Sequence, residues 1–89
     1  MKTVKIIVRG QVTGVFFRAN TKKTADKLGI KGYVHNQSND VEIVAKGDEW
    51  QITQLLEFCK KGTVLSKVES INVNEFNTQE IFFEFEIRH

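Results

Sequence analysis

Residues 10–18 read GQVTGVFFR, and the spacing of the apolar residues changes across this stretch. Before it, residues 3–9 place valine or isoleucine at every second position, which predicts a β-strand. After it, one helical stripe contains Phe17, Thr21, Ala25 and Leu28, and Gly29 stands where a helix commonly ends. The stretch is therefore predicted to connect a strand to a helix.

The middle of the chain predicts a hairpin followed by a second helix. Residues 32–36 and 41–46 have the pattern of two strands, and the turn-forming residues NQSND between them favour an antiparallel hairpin. Asp48 and Gln51 have the spacing of a capping box, with Asp in place of the usual Ser or Thr. The helix that they begin is predicted to end at Gly62.

Two strands are predicted after the second helix, one at 68–76 and one at 81–87, where isoleucine and phenylalanine recur at every second position. The resulting order is β-α-β-β-α-β with an extra strand at the end. This order predicts the α+β class and a ferredoxin-like βαββαβ sandwich, with an antiparallel sheet of four to five strands and two helices on one face. A chain of 89 residues predicts a single domain, residues 1–89.

The composition argues against several classes of protein. The formal net charge is only +2, which permits an anionic ligand but does not predict nucleic-acid binding. Cys59 has no second cysteine to pair with, and two histidines hardly complete a tetrahedral zinc site. No stretch approaches the ~20 apolar residues of a membrane span, and Lys5 and Arg9 interrupt the first apolar run, so no signal peptide is indicated. We expect a cytoplasmic protein that binds no metal, membrane or nucleic acid.

The glycines of the first stretch are compatible with an anion-binding loop. Gly10 and Gly14 permit backbone angles closed to other residues, so several amides can turn inward ahead of a helix N-terminus. Arg18, in the first helical turn, can grip two oxygens of a phosphate. The stretch lacks the Lys and Ser or Thr of a nucleotide-binding P-loop. Glycine spacing alone favours a simpler interpretation, an ordinary strand–helix connection with a solvated arginine.

A second motif, GYVHN, spans residues 32–36. On an ideal strand Tyr33 and His35 share one face, and Asn36 lies on the other. The Asn36 amide both donates and accepts hydrogen bonds, which suits it to orient a water molecule. Taken alone, Asn36 is more simply explained as a residue that begins the turn.

GQVTGVFFR and GYVHN together resemble the acylphosphatase family, in which a strand–loop–helix ends in an arginine and a Gly-aromatic-x-x-Asn strand follows. The resemblance covers essentially the whole chain. It implies hydrolysis of the carboxyl–phosphate bond of acyl phosphates without a metal or cofactor. By position, Arg18 would bind phosphate and Asn36 would orient the attacking water. The phosphate cradle would consist of the backbone amides of Gln11, Val12, Thr13, Gly14 and Val15.

The same resemblance implies a small-molecule acyl phosphate as substrate and inorganic phosphate as product or inhibitor. From the small size of the domain we expect a monomer. Two positions depart from the family pattern, which commonly has glutamine at Thr13 and proline at Thr63. The alternative is a non-catalytic phosphate-binding or regulatory module of the same fold. An RNA-binding module would need aromatic residues that 41–46 lacks, and a metal carrier would need a Cys-x-x-Cys in the first loop.

Overall fold

The computed structural model describes residues 1–13, 16–63 and 66–88. Over these residues the order of elements is the predicted one, with a fifth strand at the end. The elements are β1 (Lys2–Gln11), α1 (Phe17–Leu28), β2 (Lys31–Gln37), β3 (Asp40–Gly47), α2 (Glu49–Lys61), β4 (Lys67–Glu75) and β5 (Phe85–Ile87).

The strands form one sheet in the order β4-β1-β3-β2-β5. Three of the pairings, β1 with β4, β1 with β3 and β3 with β2, are antiparallel as predicted. The pairing of β2 with β5 is parallel, so the sheet is mixed rather than antiparallel throughout. Because β3 lies between β1 and β2 and runs against both, β1 and β2 run in the same direction.

The hydrophobic core lies between the sheet and the two helices, which also contact each other. Each strand of the central pair contributes every second residue to it, as the alternation in sequence predicts. Helix α1 contributes Phe17 and Ala25, and α2 contributes a stripe at helical spacing. The residues that β1, β3 and α2 contribute to the core are Val4, Ile6 and Val8 of β1, Val41, Ile43 and Ala45 of β3, and Ile52, Leu55 and Cys59 of α2.

The predicted helix ends are confirmed. Gly29 has left-handed backbone angles and its N–H donates to the Asp26 carbonyl at 3.2 Å, which closes α1. At the start of α2, the Asp48 N–H donates to Gln51 Oε1 at 2.6 Å, within a capping box. Among the helices of the described residues, none has the length and apolar character needed to cross a membrane.

The prediction of a strand over 81–87 is wrong for its first half, because only Phe85–Ile87 is a strand. In the parallel register Gly32 lies opposite Phe85, and β2 begins one residue earlier at Lys31. The residues before 84 therefore have no neighbouring strand to pair with. Ile81 and Phe83 are exposed, whereas Phe82 packs against the Tyr33 ring at 6.0 Å.

Candidate active site

One edge of the sheet collects the ends of the elements that carry both sequence motifs. Val8 of β1, Val41 of β3 and Asn36 of β2 lie opposite one another across three strands. Since β1 and β2 run in the same direction, the chain leaving β1 after Gln11 and the end of β2 reach the same edge. Helix α1 then begins at Phe17, on the face of the sheet that the helices cover.

Asn36 lies on that helix-covered face but is itself exposed. It follows the buried Val34 by two positions, and successive residues of a strand alternate between faces. The helices therefore cover the sheet at Val34 and leave Asn36 open. The side-chain amide is placed where a ligand at the edge of the sheet can reach it.

His35 lies on the opposite face, among other polar groups. Its Nε2 atom is 2.9 Å from Glu42 Oε1, and its ring lies 5.7 Å from that of Tyr33. Lys5 Nζ is 4.0 Å from the same Glu42 oxygen, so the largely buried Glu42 carboxylate has two basic neighbours. The position of His35 explains it as a sheet residue that satisfies Glu42, separated by the sheet from Asn36.

Arg18 is the second residue of α1, and it is half-buried. The preceding Phe17 fixes this end of the helix, because its side chain is buried and its ring lies 5.6 Å from that of Phe58. Arg18 therefore lies in the first turn of the helix that follows β1, and this helix packs on the face of the sheet that carries Asn36. The first turn of α1 contains no acidic residue, so no carboxylate there opposes an anion at the helix N-terminus.

The predicted cradle begins at the last residue of β1 and continues into the chain that follows this strand. Gln11 ends β1 opposite Lys67 of β4. Val12 is buried in the core, and Thr13 is half-buried. Gly14 and Val15 lie outside the described residues.

The two motif glycines that the structure describes serve the sheet. Gly10 lies inside β1 at a bulge, with φ of 135°, and a Cβ there would stand 2.1 Å from the Lys67 carbonyl oxygen. Gly32 has φ of 140°, and its Cβ would stand 1.9 Å from the Val44 carbonyl oxygen. The glycine at position 10 is compatible from sequence with an anion-binding loop, but its immediate neighbour is the backbone of β4.

Phe16 is a feature of this edge that the sequence did not indicate. It is the N-cap of α1 and has left-handed backbone angles, φ 61° and ψ 18°, which large side chains rarely adopt. The residue is 73% exposed, so it is not held by burial in the core. A left-handed residue followed by a right-handed helix turns successive amides toward one point, which is the geometry of an anion-binding nest.

Comparison with known proteins gives a consistent match. The family model described as Acylphosphatase matches residues 4–87. An acylphosphatase from Methylococcus capsulatus is 38% identical over 88 residues, covering 98% of this chain and 96% of the relative. One from Methanocella arvoryzae is 46% identical over 76 residues, covering 84% and 86%. The crystal structure of acylphosphatase from Bacillus subtilis superposes with a TM-score of 0.94 at 38% identity, covering 100% of both chains.

Proposed function

Because this chain belongs to the acylphosphatase family, it hydrolyses the carboxyl–phosphate bond of acyl phosphates, and we propose that Arg18, Asn36 and the main chain of residues 11–15 carry out the reaction. One observation supports these roles above others. Arg18 lies at the start of the helix that follows β1, and Asn36 lies near the end of β2, which runs in the same direction as β1.

The phosphoryl group is bound by positive partial and full charges. Amides of the loop and of the first turn of α1 point their hydrogens at the phosphate oxygens, and the helix dipole adds to their attraction. Arg18 contributes a planar guanidinium that contacts two oxygens at once. These charges stabilise the equatorial oxygens of the transition state, where phosphoryl transfer concentrates negative charge.

Asn36 orients the water that attacks phosphorus. Its side-chain oxygen accepts a hydrogen bond from the water, and its NH₂ group donates to a phosphate oxygen. As the new P–O bond forms, the bond from phosphorus to the carboxylate oxygen breaks, and the products are a carboxylate and dihydrogen phosphate. An acyl phosphate is a mixed anhydride with a good leaving group, so positioning and charge stabilisation suffice without a strong general base.

The remaining expectations are proposals on the same basis. We propose that inorganic phosphate competes with the substrate, because it presents the same oxygens to the same amides and to Arg18. We also propose that the chain acts as one domain, residues 1–89, and as a monomer in the cytoplasm. The site is formed by β1, α1 and β2 of one chain, and none of its proposed residues requires a second copy.

Arg18 is tested with benzoyl phosphate as substrate and a chelator in the buffer. We expect Arg18→Ala to lower kcat/KM by about 10³-fold, the scale of a transition-state arginine in phosphoryl transfer. Arg18→Lys keeps the charge but loses the planar pair of donors, so it should recover only part of the activity. Arg9→Ala is the matched control, because Arg9 lies near the end of β1 that leads into α1, but its guanidinium pairs with Asp40 at 3.3 Å.

The outcomes separate charge from position. Loss in Arg18→Ala with near-normal activity in Arg9→Ala supports a specific role for Arg18. Equal losses in the two variants would assign the effect to net charge alone. Wild-type activity in Arg18→Ala would remove Arg18 from the site.

A further inference from the structure

The backbone conformation of Phe16 is held by a residue one helical turn away. The side-chain Nδ2 of Asn20 donates to the Phe16 carbonyl oxygen at 2.9 Å, and the backbone N–H of Asn20 donates to the same oxygen at 3.0 Å. A carbonyl oxygen has two lone pairs, and both are used here by one residue. The second bond is additional to the ordinary helical one and comes from the asparagine side chain.

The two hydrogen bonds from Asn20 to the Phe16 carbonyl, called the clamp below, act on a residue whose backbone conformation is unfavourable. An aromatic side chain in the left-handed region crowds its own backbone, so the conformation persists only when surrounding contacts impose it. The Phe16 ring is mostly exposed and supplies little packing of its own. The hydrogen bonds to the Phe16 carbonyl and the burial of Phe17 are the described contacts that fix this turn.

Fixing the direction of the Phe16 carbonyl also fixes the direction of the Phe17 N–H, which belongs to the same peptide group. In a trans peptide the C=O of one residue and the N–H of the next point in opposite directions from one plane. With the Phe16 carbonyl directed along the helix to Asn20, the Phe17 N–H points out of the helix N-terminus. That is the side on which the chain arrives from β1 and on which an anion would bind.

We propose that Asn20 is a positioning residue for phosphate binding: its side-chain amide holds Phe16 in the left-handed conformation and so aims the amides at the start of α1 toward the phosphate group of the substrate. The inference rests on the proposed function of this edge. Asn20 itself contacts neither the substrate nor the reacting atoms. It acts through the backbone of Phe16 and Phe17.

Helix propensity allows an effect of Asn20 on phosphate binding to be distinguished from an effect on stability. Asparagine is a poor helix former and alanine the best, so Asn20→Ala favours α1 while it removes the side-chain bond to Phe16. We expect the Kd for inorganic phosphate, measured by calorimetry, to rise about five- to tenfold, with kcat/KM falling by a similar factor, as positioning effects of small displacements do. The Tm is expected to stay unchanged or to rise. Thr24→Ala, one turn further along α1, is the control for the gain in propensity alone.

A second background tests the route through Phe16. Glycine adopts left-handed backbone angles freely, so in Phe16→Gly residue 16 depends less on the Asn20 hydrogen bond to reach that conformation. Asn20→Ala is therefore expected to weaken phosphate binding by no more than about twofold in the Phe16→Gly background. Equal weakening in both backgrounds, or unchanged phosphate binding in Asn20→Ala, would overturn the role of Asn20.

Arg18→Ala in the same titration separates this inference from the proposed function. If Arg18→Ala weakens phosphate binding and Asn20→Ala does not, the site stands and the clamp is refuted. If neither variant weakens binding, or the wild type binds no phosphate, the proposed site fails and the inference fails with it. A fall in Tm for Asn20→Ala that matches its loss of binding would assign Asn20 a structural role only.

Discussion

Asn36 and His35 are adjacent in β2, and the alternation of the strand gives them opposite surroundings. His35 faces Glu42 and Tyr33 on the open side of the sheet. Asn36 is exposed beyond the cover of the helices, on the same side as α1. A histidine next to a candidate site invites assignment as a general base, but here the sheet separates it from Arg18. The chemistry proposed for this edge therefore depends on positioning and charge rather than on proton transfer by histidine.

Cys59 is the other residue whose environment changes its chemistry. Its thiol is fully buried in the stripe that α2 presents to the core, and burial raises its pKa to about 12. A thiol so protected stays protonated at neutral pH and is unreactive. This agrees with the place of Cys59 in the core.

The raised pKa of Cys59 predicts a loss of stability at alkaline pH. The unfolded thiol ionises near its ordinary pKa of 9.0, whereas the folded thiol keeps its proton to about pH 12. Below about pH 9 the thiol is protonated in both the folded and the unfolded state, so its ionisation does not affect stability. Between the two pKa values only the unfolded thiol ionises, and the free energy of unfolding therefore declines by up to about 1.4 kcal/mol per pH unit. Urea unfolding from about pH 8 to pH 11 measures this slope. Cys59→Ala should show a shallower slope despite its lower starting stability, and identical slopes would contradict the assignment.

The residues of the site differ in how far a sequence can indicate them. Arg18 and Asn36 are visible because their side chains stand at recognisable distances within two motifs. The clamp of Asn20 on Phe16 is not visible, because it depends on a backbone angle that the identity of phenylalanine does not suggest. Gly10 shows a different limit, since glycine signals a special backbone conformation without indicating whether a ligand or a neighbouring strand requires it.

Among the elements, the helices were predictable to the residue and the last strand was not. A helix satisfies its own backbone, and its ends carry local signals such as Gly29, Gly62 and the capping box at Asp48. A strand needs a partner, and alternation does not reveal whether one is present. Residues 81–83 have the pattern of a strand, but β2 begins too late to pair with them.

Two phenylalanines of this segment provide a matched test. The alternation in sequence treats Phe83 and Phe85 alike, whereas the structure exposes 84% of Phe83 and only 1% of Phe85. Phe85→Ala should lower the free energy of unfolding by about 3–5 kcal/mol, because it leaves a cavity in the core. Phe83→Ala should change it by less than about 0.5 kcal/mol. Chemical denaturation of the two variants measures the difference, and comparable losses would mean that 81–87 is a complete strand.

At the scale of the whole molecule, the order of the strands determines where the two motifs lie. The two motifs lie on β1 with α1 and on β2, which are not neighbours in the sheet. Placing β3 between them makes β1 and β2 run in the same direction, so both end at one edge. The element order in sequence predicted the fold, but the parallel pairing of β5 depends on which edge was free. The binding that we propose at this edge uses the ends of rigid elements, which would keep the reacting groups in place.

The most direct measurement is kcat/KM for benzoyl phosphate, in the presence of a chelator, for wild type, Arg18→Ala, Asn36→Ala and the double variant. Asn77→Ala serves as control, since Asn77 follows Phe76, whose N–H bonds to the Thr3 carbonyl at the far end of β1. If Arg18 and Asn36 act on one transition state, each single variant loses about 10²-fold or more, and the double variant loses less than the product of the two. Hydrolysis by the double variant at the wild-type rate would contradict the assignment of this edge as the active site.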